Sequence, residues 1–279
     1  MRNSIGFMQG RLSPVVDGKI QEFPWATWRE EFDTGSKLGF RLMEWTLDQY
    51  RLYENPIMTA VGRSEIRDLI RESGVIVRSL TGDCFMQAPF WKSSGYRQTE
   101  LKRAFEAVVA GCSEIGVKLV VVPLVDEGSM NTEKEKKILL SFLKSNESFF
   151  KESDISIIFE SDFAAVDLQD FINEFDPDIF GVNYDTGNSA ALGFDPVEEI
   201  STYGRHIKNI HIKDRELNGG TVPLGSGSTS FDKIFRTLAK IEYKDNFILQ
   251  TARAKDDRHA DALLRYASEV EKWINDYRI

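Results

Sequence analysis

Cysteine is almost absent from this sequence, and so is any concentration of positive charge. The two cysteines, Cys84 and Cys112, do not stand at a metal-ligand spacing and cannot build a framework of bridges, so free thiols in a reducing compartment are expected. The 35 lysines and arginines are scattered through a chain of net charge −9. Nucleic-acid binding needs a basic patch that neutralises phosphates, and none is visible, which excludes a nucleic-acid partner. No apolar run approaches the ~20 residues that span a bilayer. The N-terminal segment from Met1 to Phe7 also lacks the apolar core of a signal peptide. Together these absences point to a cytoplasmic protein with no membrane partner. A Gly-rich dinucleotide fingerprint is missing too, since the run from Gly6 to Gly10 does not have the required spacing.

What is present is a regular alternation. Short β-branched or aromatic runs begin near Ser4, Arg41, Val75, Lys118, Ile155, Ile179, His206 and Asn246, and each reads as a buried strand. Amphipathic segments separate them: Trp25–Leu38, Glu65–Ser73, Gln98–Ile115, Glu133–Glu152, Leu168–Phe175, Phe231–Ile241 and Ala260–Tyr277. Thr132 with Glu135 forms a capping-box pattern, and Gly39, Gly74 and Gly116 follow helical runs where a left-handed cap favours glycine. Strand, helix, glycine, strand at this rhythm means parallel strands with right-handed crossovers. Eight such units in 279 residues, 42% of them hydrophobic, predict an α/β fold: a single (β/α)8 TIM barrel over residues 1–279. Long segments follow the first, third and seventh strands (Met8–Pro24, Gly82–Tyr96 and Arg215–Ser230), whereas the opposite loops are short. The chemistry is therefore expected at the C-terminal mouth.

Four polar residues end four of the later strands. Glu160 closes the fifth, Asp185 the sixth, His211 lies on the seventh, and Gln250 follows the eighth. Two carboxylates, an imidazole and an amide oxygen at one end of parallel strands form a ring of hard ligands for one divalent cation, with positions left open for substrate. Lys213, two residues beyond His211, points the same way by strand alternation. Glu44, ending the second strand, is a candidate second acid/base group or sugar-hydroxyl ligand.

These residues carry a resemblance. The runs Gly6-Phe-Met-Gln-Gly-Arg-Leu-Ser-Pro14, Met43-Glu-Trp45, Asp83-Cys-Phe-Met86, Phe159-Glu160, Asp185-Thr-Gly-Asn188 and Asn209-Ile-His-Ile-Lys-Asp214 resemble the xylose-isomerase-like TIM-barrel superfamily. Val222-Pro-Leu-Gly-Ser-Gly227 and Leu249-Gln-Thr-Ala-Arg253 extend the likeness along the whole chain. The superfamily contains sugar isomerases and epimerases, inosose and dehydroshikimate dehydratases and endonuclease IV. The resemblance implies that Glu160, Asp185 and His211 ligate Mn2+, Mg2+, Co2+ or Zn2+, with Gln250 a weaker fourth ligand. It also implies a small-molecule carbohydrate substrate. Only three histidines are present, too few for a trinuclear zinc nuclease site.

The expected reaction is isomerisation or epimerisation of a sugar or sugar phosphate through an enediolate, with Glu160 as base and Lys213 and Glu44 as proton-handling groups. Asn188 replaces a histidine usual in related epimerases and is expected to bind substrate, as are Arg215, Arg253 and an aromatic wall containing Trp45. Phe85, Phe90 and Trp91 either join that wall or pack the long third loop. Arg11, His206 and His259 read as structural or surface residues, although Arg11 is placed to reach the mouth.

Gln250 departs from the family pattern, because ketose 3-epimerases usually carry Glu there and an amide accepts no proton at neutral pH. Three readings follow: an isomerase working with one base, an enzyme relying on another second base, or a sugar-binding barrel without catalysis. Dehydration of a polyol or cyclic ketone is a further alternative, since it begins with the same proton removal. The sequence leaves the oligomeric state open.

Overall fold

The computed structural model describes residues 4–279; Met1, Arg2 and Asn3, at the start of the segment read above for a signal peptide, lie outside the described residues. Ten strands are named in chain order. They are β1 (Ile5–Met8), β2 (Leu42–Thr46), β3 (Ile76–Thr81), β4 (Leu119–Leu124), β5 (Ser156–Ser161), β6 (Phe180–Asp185), β7 (Ile207–Ile212), β8 (Asp214–Arg215), β9 (Thr221–Val222) and β10 (Asn246–Leu249). Eight of them close a parallel barrel in the order β1-β10-β7-β6-β5-β4-β3-β2. The remaining pair, β8 and β9, makes a small antiparallel ribbon over the mouth. The barrel strands start within one residue of the positions expected from the sequence, because short β-branched runs bounded by glycine and charge leave little freedom in register.

Strand alternation sorts the core into two parts. Outward residues such as Val120, Val122 and Phe159 join one large cluster between the strands and the surrounding helices. Inward residues form two small separate groups, one of Met8, Leu42 and Ile248 and another of Leu119, Val121 and Ile158. Phenylalanine dominates the outer layer. Phe175 lies 4.4 Å from Phe180, and Phe159 lies 5.1 Å from Phe171. Each phenylalanine removed from water contributes ~1.5–3 kcal/mol, which makes this layer the main source of stability.

Helix ends follow local chemistry. Thr132 Oγ1 accepts from Glu135 N at 3.2 Å while Glu135 Oε2 accepts from Thr132 N at 3.2 Å, so the capping box forms. Gly74 and Gly116 sit in left-handed conformations at helix C-termini. Some boundaries differ from expectation. The segment 133–152 breaks at Asn146 into helices Glu133–Ser145 and Glu147–Glu152. The helix foreseen over Trp25–Leu38 is regular only over Glu30–Lys37. Two further helices, Thr186–Leu192 and Pro196–Tyr203, fill the β6–β7 connection. Their short length and small residues gave no clear helical period. Cys84 and Cys112 are free and buried. Among the described residues no helix is long and apolar enough to cross a membrane.

Helix Gly95–Ile115 packs closely on the short turn at Pro56–Met58. A Cβ added to Gly111 would stand 2.6 Å from the Ile57 carbonyl oxygen. Gly111→Ala gains about 1 kcal/mol of helix propensity. Overpacking against a backbone atom costs about 1–3 kcal/mol. The variant is expected to unfold at lower denaturant than the parent, and an unchanged or raised midpoint would contradict the packing described.

Candidate active site

Alternate residues of a strand share a face, and this brings Glu160, Asp185 and His211 from three adjacent strands to the barrel axis. Asp185 pairs in register with His211 across β6 and β7. The three residues are buried, and each offers a ligand atom within 4.8 Å of the others.

His211 is held from beneath. Its Nε2 lies 2.6 Å from Glu44 Oε1. Glu44 Oε2 accepts from Ser79 Oγ at 2.5 Å and from Asn209 Nδ2 at 2.9 Å. Asn209 Nδ2 also donates to Asn183 Oδ1 at 2.8 Å, and Asn183 Nδ2 donates to Glu160 Oε2 at 2.9 Å. A proton on Nε2 therefore faces Glu44, and Nδ1 faces Glu160 Oε2 at 3.1 Å and Asp185 Oδ2 at 4.0 Å. Burial opposes a charge on this ring, but Glu44 and Glu160 outweigh it and raise the imidazolium to about 10.

Above the triad lies a polar layer. Lys213 Nζ is 2.9 Å from Asp185 Oδ2, 3.1 Å from Gln250 Oε1 and 3.3 Å from Asn188 Oδ1. Asn188 Nδ2 donates to Glu160 Oε1 at 2.6 Å, while Arg215 Nη1 donates to Asn188 Oδ1 at 2.9 Å. Asp185 also caps the helix that follows it, its Oδ1 accepting from Gly187 N and Asn188 N. Gln250 Nε2 donates to Gln21 Oε1 at 2.8 Å, and Gln21 Nε2 donates to Asp83 Oδ2 at 2.7 Å. These residues border a cavity of about 610 Å³ that opens at the mouth. Its size is that of a small-ligand site.

The residues singled out from sequence fall into two groups. Glu160, Asn188, Lys213, Arg215 and Gln250 border the cavity, and Asp185 and His211 lie directly below it. Glu44, Trp45 and Arg253 are not brought to it. Glu44 is fully buried and meets His211, so contact with a sugar hydroxyl is corrected to support of the imidazole. Trp45 follows Glu44 and so points outward, packing 5.4 Å from Phe23 and 5.6 Å from Trp28 with its Nε1 on Asn55 Oδ1. Phe85, Phe90 and Trp91 also belong to the outer core, the packing alternative of the two read from sequence. Arg253 donates through Nη1 and Nη2 to the carbonyls of Gly10 and Ser13, tying down the loop after β1 beside a neighbouring cavity.

Sequence reasoning missed two residues, and a third reaches the mouth as it allowed. Gln21 and Asp83 border the cavity, the latter quoted only within a motif; Arg11, read as structural or surface, also borders it while 3% exposed. Burial and the nearby Asp48 push the Asp83 carboxyl up to about 7.

The donor set fits a divalent cation. Two carboxylate oxygens and a ring nitrogen are hard or borderline donors, and a ligating histidine whose other nitrogen is held by a carboxylate is a recurrent orienting arrangement. Removing one partner of a buried ion pair costs about 3–5 kcal/mol. Glu44→Gln is accordingly expected to lower the unfolding free energy by about that amount in chemical denaturation; a loss below ~1 kcal/mol would show that the pair carries no such burden.

Comparison with known proteins agrees with this architecture. A family model described as xylose isomerase-like TIM barrel matches residues 32–276. An inosose dehydratase from Bacillus cereus (strain AH820) is 25% identical over 181 residues, covering 57% of this chain and 60% of that relative. The crystal structure of IOLI protein with a bound zinc atom superimposes with a TM-score of 0.75 at 16% identity, covering 98% of this chain and 99% of that one. The apo form of 3-keto-D-glucoside 4-epimerase YcjR from E. coli gives a TM-score of 0.68 at 18% identity, with 94% and 99% covered. With the family model spanning nearly the whole barrel, this chain belongs to the xylose isomerase-like TIM-barrel family.

Proposed function

We propose that this chain is a divalent-cation-dependent isomerase or epimerase of a carbohydrate, moving a proton on the carbon beside a carbonyl. The reading is carried by the buried convergence of Glu160, Asp185 and His211 beneath a polar cavity. Glu160, Asp185 and His211 Nδ1 would hold the ion, with Gln250 Oε1 as a weaker fourth ligand. Mn2+, Mg2+, Co2+ and Zn2+ all suit such donors, and the zinc-bound neighbour of the same fold supports the choice. When bound, the ion supplies positive charge to substrate oxygens.

The chain's own groups divide the remaining work. Glu160 takes the proton, its two oxygens oriented by Asn188 and Asn183. Negative charge then develops on the substrate oxygen, and the Lys213 ammonium lies close enough to the triad to share it. Asn188, fixed by Arg215, offers an amide to a sugar hydroxyl. A second reading, dehydration, is favoured by the similarity to inosose dehydratase. It starts with the same proton removal and differs in losing water, so product mass separates the two.

The test is solvent deuterium entering the carbon beside the carbonyl across ketoses, their phosphates and a cyclic keto-polyol. Glu160→Gln is expected to lower exchange by at least ~100-fold with the fold intact. Chelation of the parent enzyme is expected to abolish exchange and readdition of Mn2+ to restore it. Exchange unaffected by either change would overturn the proposal.

A further inference from the structure

We propose that Asp83 is the second proton-transfer group of this site, giving a proton to the substrate carbon on the face opposite Glu160, which makes the chain a two-base epimerase. The inference rests on the reading of Glu160 as the first base. Inversion at a carbon beside a carbonyl needs a proton removed from one face and another delivered to the other. Gln250, at the end of β10, carries an amide and has no proton to exchange at neutral pH. Among the acidic and basic groups on the cavity wall, Lys213 is committed to Asp185, and Asp126 stands exposed on the outer rim. Arg11 and Arg215 spend their guanidinium donors on backbone and amide oxygens. Asp83 is the carboxyl that remains.

Its placement suits the role. Asp83 opens the short helix after β3, two strands around the barrel from β5, which carries Glu160, so the two carboxyls enter the cavity from different sides. A relay of amides fixes its orientation. Lys213 donates to Gln250 Oε1 at 3.1 Å, Gln250 to Gln21 Oε1 at 2.8 Å, and Gln21 to Asp83 Oδ2 at 2.7 Å. Each amide in this relay has its orientation set by its neighbours, and the last donor holds one carboxyl oxygen. Among the described residues, Oδ1 of Asp83 has no protein hydrogen bond and is left for a ligand. A carboxyl raised to about 7 by burial and Asp48 is substantially protonated at neutral pH, as a donor must be.

The proton balance closes. Glu160 takes the proton from carbon as the C–H bond breaks, and the Asp83 carboxylic acid forms the new C–H bond on the opposite face. Glu160 is left protonated and Asp83 ionised, and both reset by exchange with water through the open cavity. No oxidant or co-reactant is consumed.

The experiment follows epimer formation and deuterium wash-in together, in the Mn2+-loaded full chain, with whichever ketose or ketose phosphate the parent exchanges. Asp83→Asn is expected to lower epimer formation by about 100-fold or more while wash-in to unreacted substrate persists within about threefold of the parent. Asp83→Ser, which keeps an acceptor for Gln21, is expected to show the same split, and Asp83→Glu to recover part of the epimer yield. Epimer formation within about threefold of the parent in both Asn and Ser variants would overturn the proposal, as would equal loss of both signals in folded protein. Parent enzyme that exchanges deuterium but yields no epimer overturns Asp83 alone and leaves Glu160 standing. Parent enzyme that exchanges nothing overturns the Glu160 reading and this proposal with it.

Discussion

The contact between His211 Nε2 and Glu44 Oε1 governs the rest of the site. It sits in the barrel interior where neither group touches water, and it decides which ring nitrogen is left to face Glu160 and Asp185. Three carboxylates, Glu44, Glu160 and Asp185, then surround one imidazole and the ammonium of Lys213. With the imidazole protonated this group carries one excess negative charge, and with it neutral, two. Buried charge is costly unless compensated. A divalent cation exchanged for the imidazole proton would restore the balance, a physical reason for hard donors to converge here.

The scaffold supports that arrangement from both sides. Below, Ser79 and Asn209 donate to Glu44, and Asn209 and Asn183 continue the chain of donors to Glu160. Above, the loop after β1 is tied by Glu31, which accepts from Gly10 N and Leu12 N at 2.8–2.9 Å, and by Arg253 on the Gly10 and Ser13 carbonyls. Arg253, expected from sequence to bind substrate, thus serves to position a loop. Gln21 on that same loop reaches both Gln250 and Asp83, so loop order and the polar lining of the cavity are linked.

The barrel was legible because its signals are local: eight apolar runs with glycine punctuation fix strands to within a residue, and parallel pairing follows from the spacing. Glu160, Asp185, His211 and Lys213 were legible for the same reason, since alternation alone points them inward near strand ends. Glu44 was harder. It lies mid-strand in β2, below the mouth, with a register irregularity between Met43 and Glu44. Its partner His211 is 167 residues away, a pairing that no local pattern encodes. Trp45 was misplaced by reading an aromatic near a strand end as a wall, although alternation with Glu44 sends it outward. Gln21 and Asp83 acquire meaning only from a three-dimensional relay between the loop after β1 and the short helix Asp83–Gln87, segments too brief for period or spacing to place a side chain.

The central claim, that the triad holds one divalent ion, is tested most directly by equilibrium dialysis of the purified chain against Mn2+ with metal counted by elemental analysis. The account expects one ion per chain for the parent and none for Asp185→Ala or His211→Ala, with circular dichroism showing both variants folded. A parent that binds no ion, or variants that bind as the parent does, would contradict it.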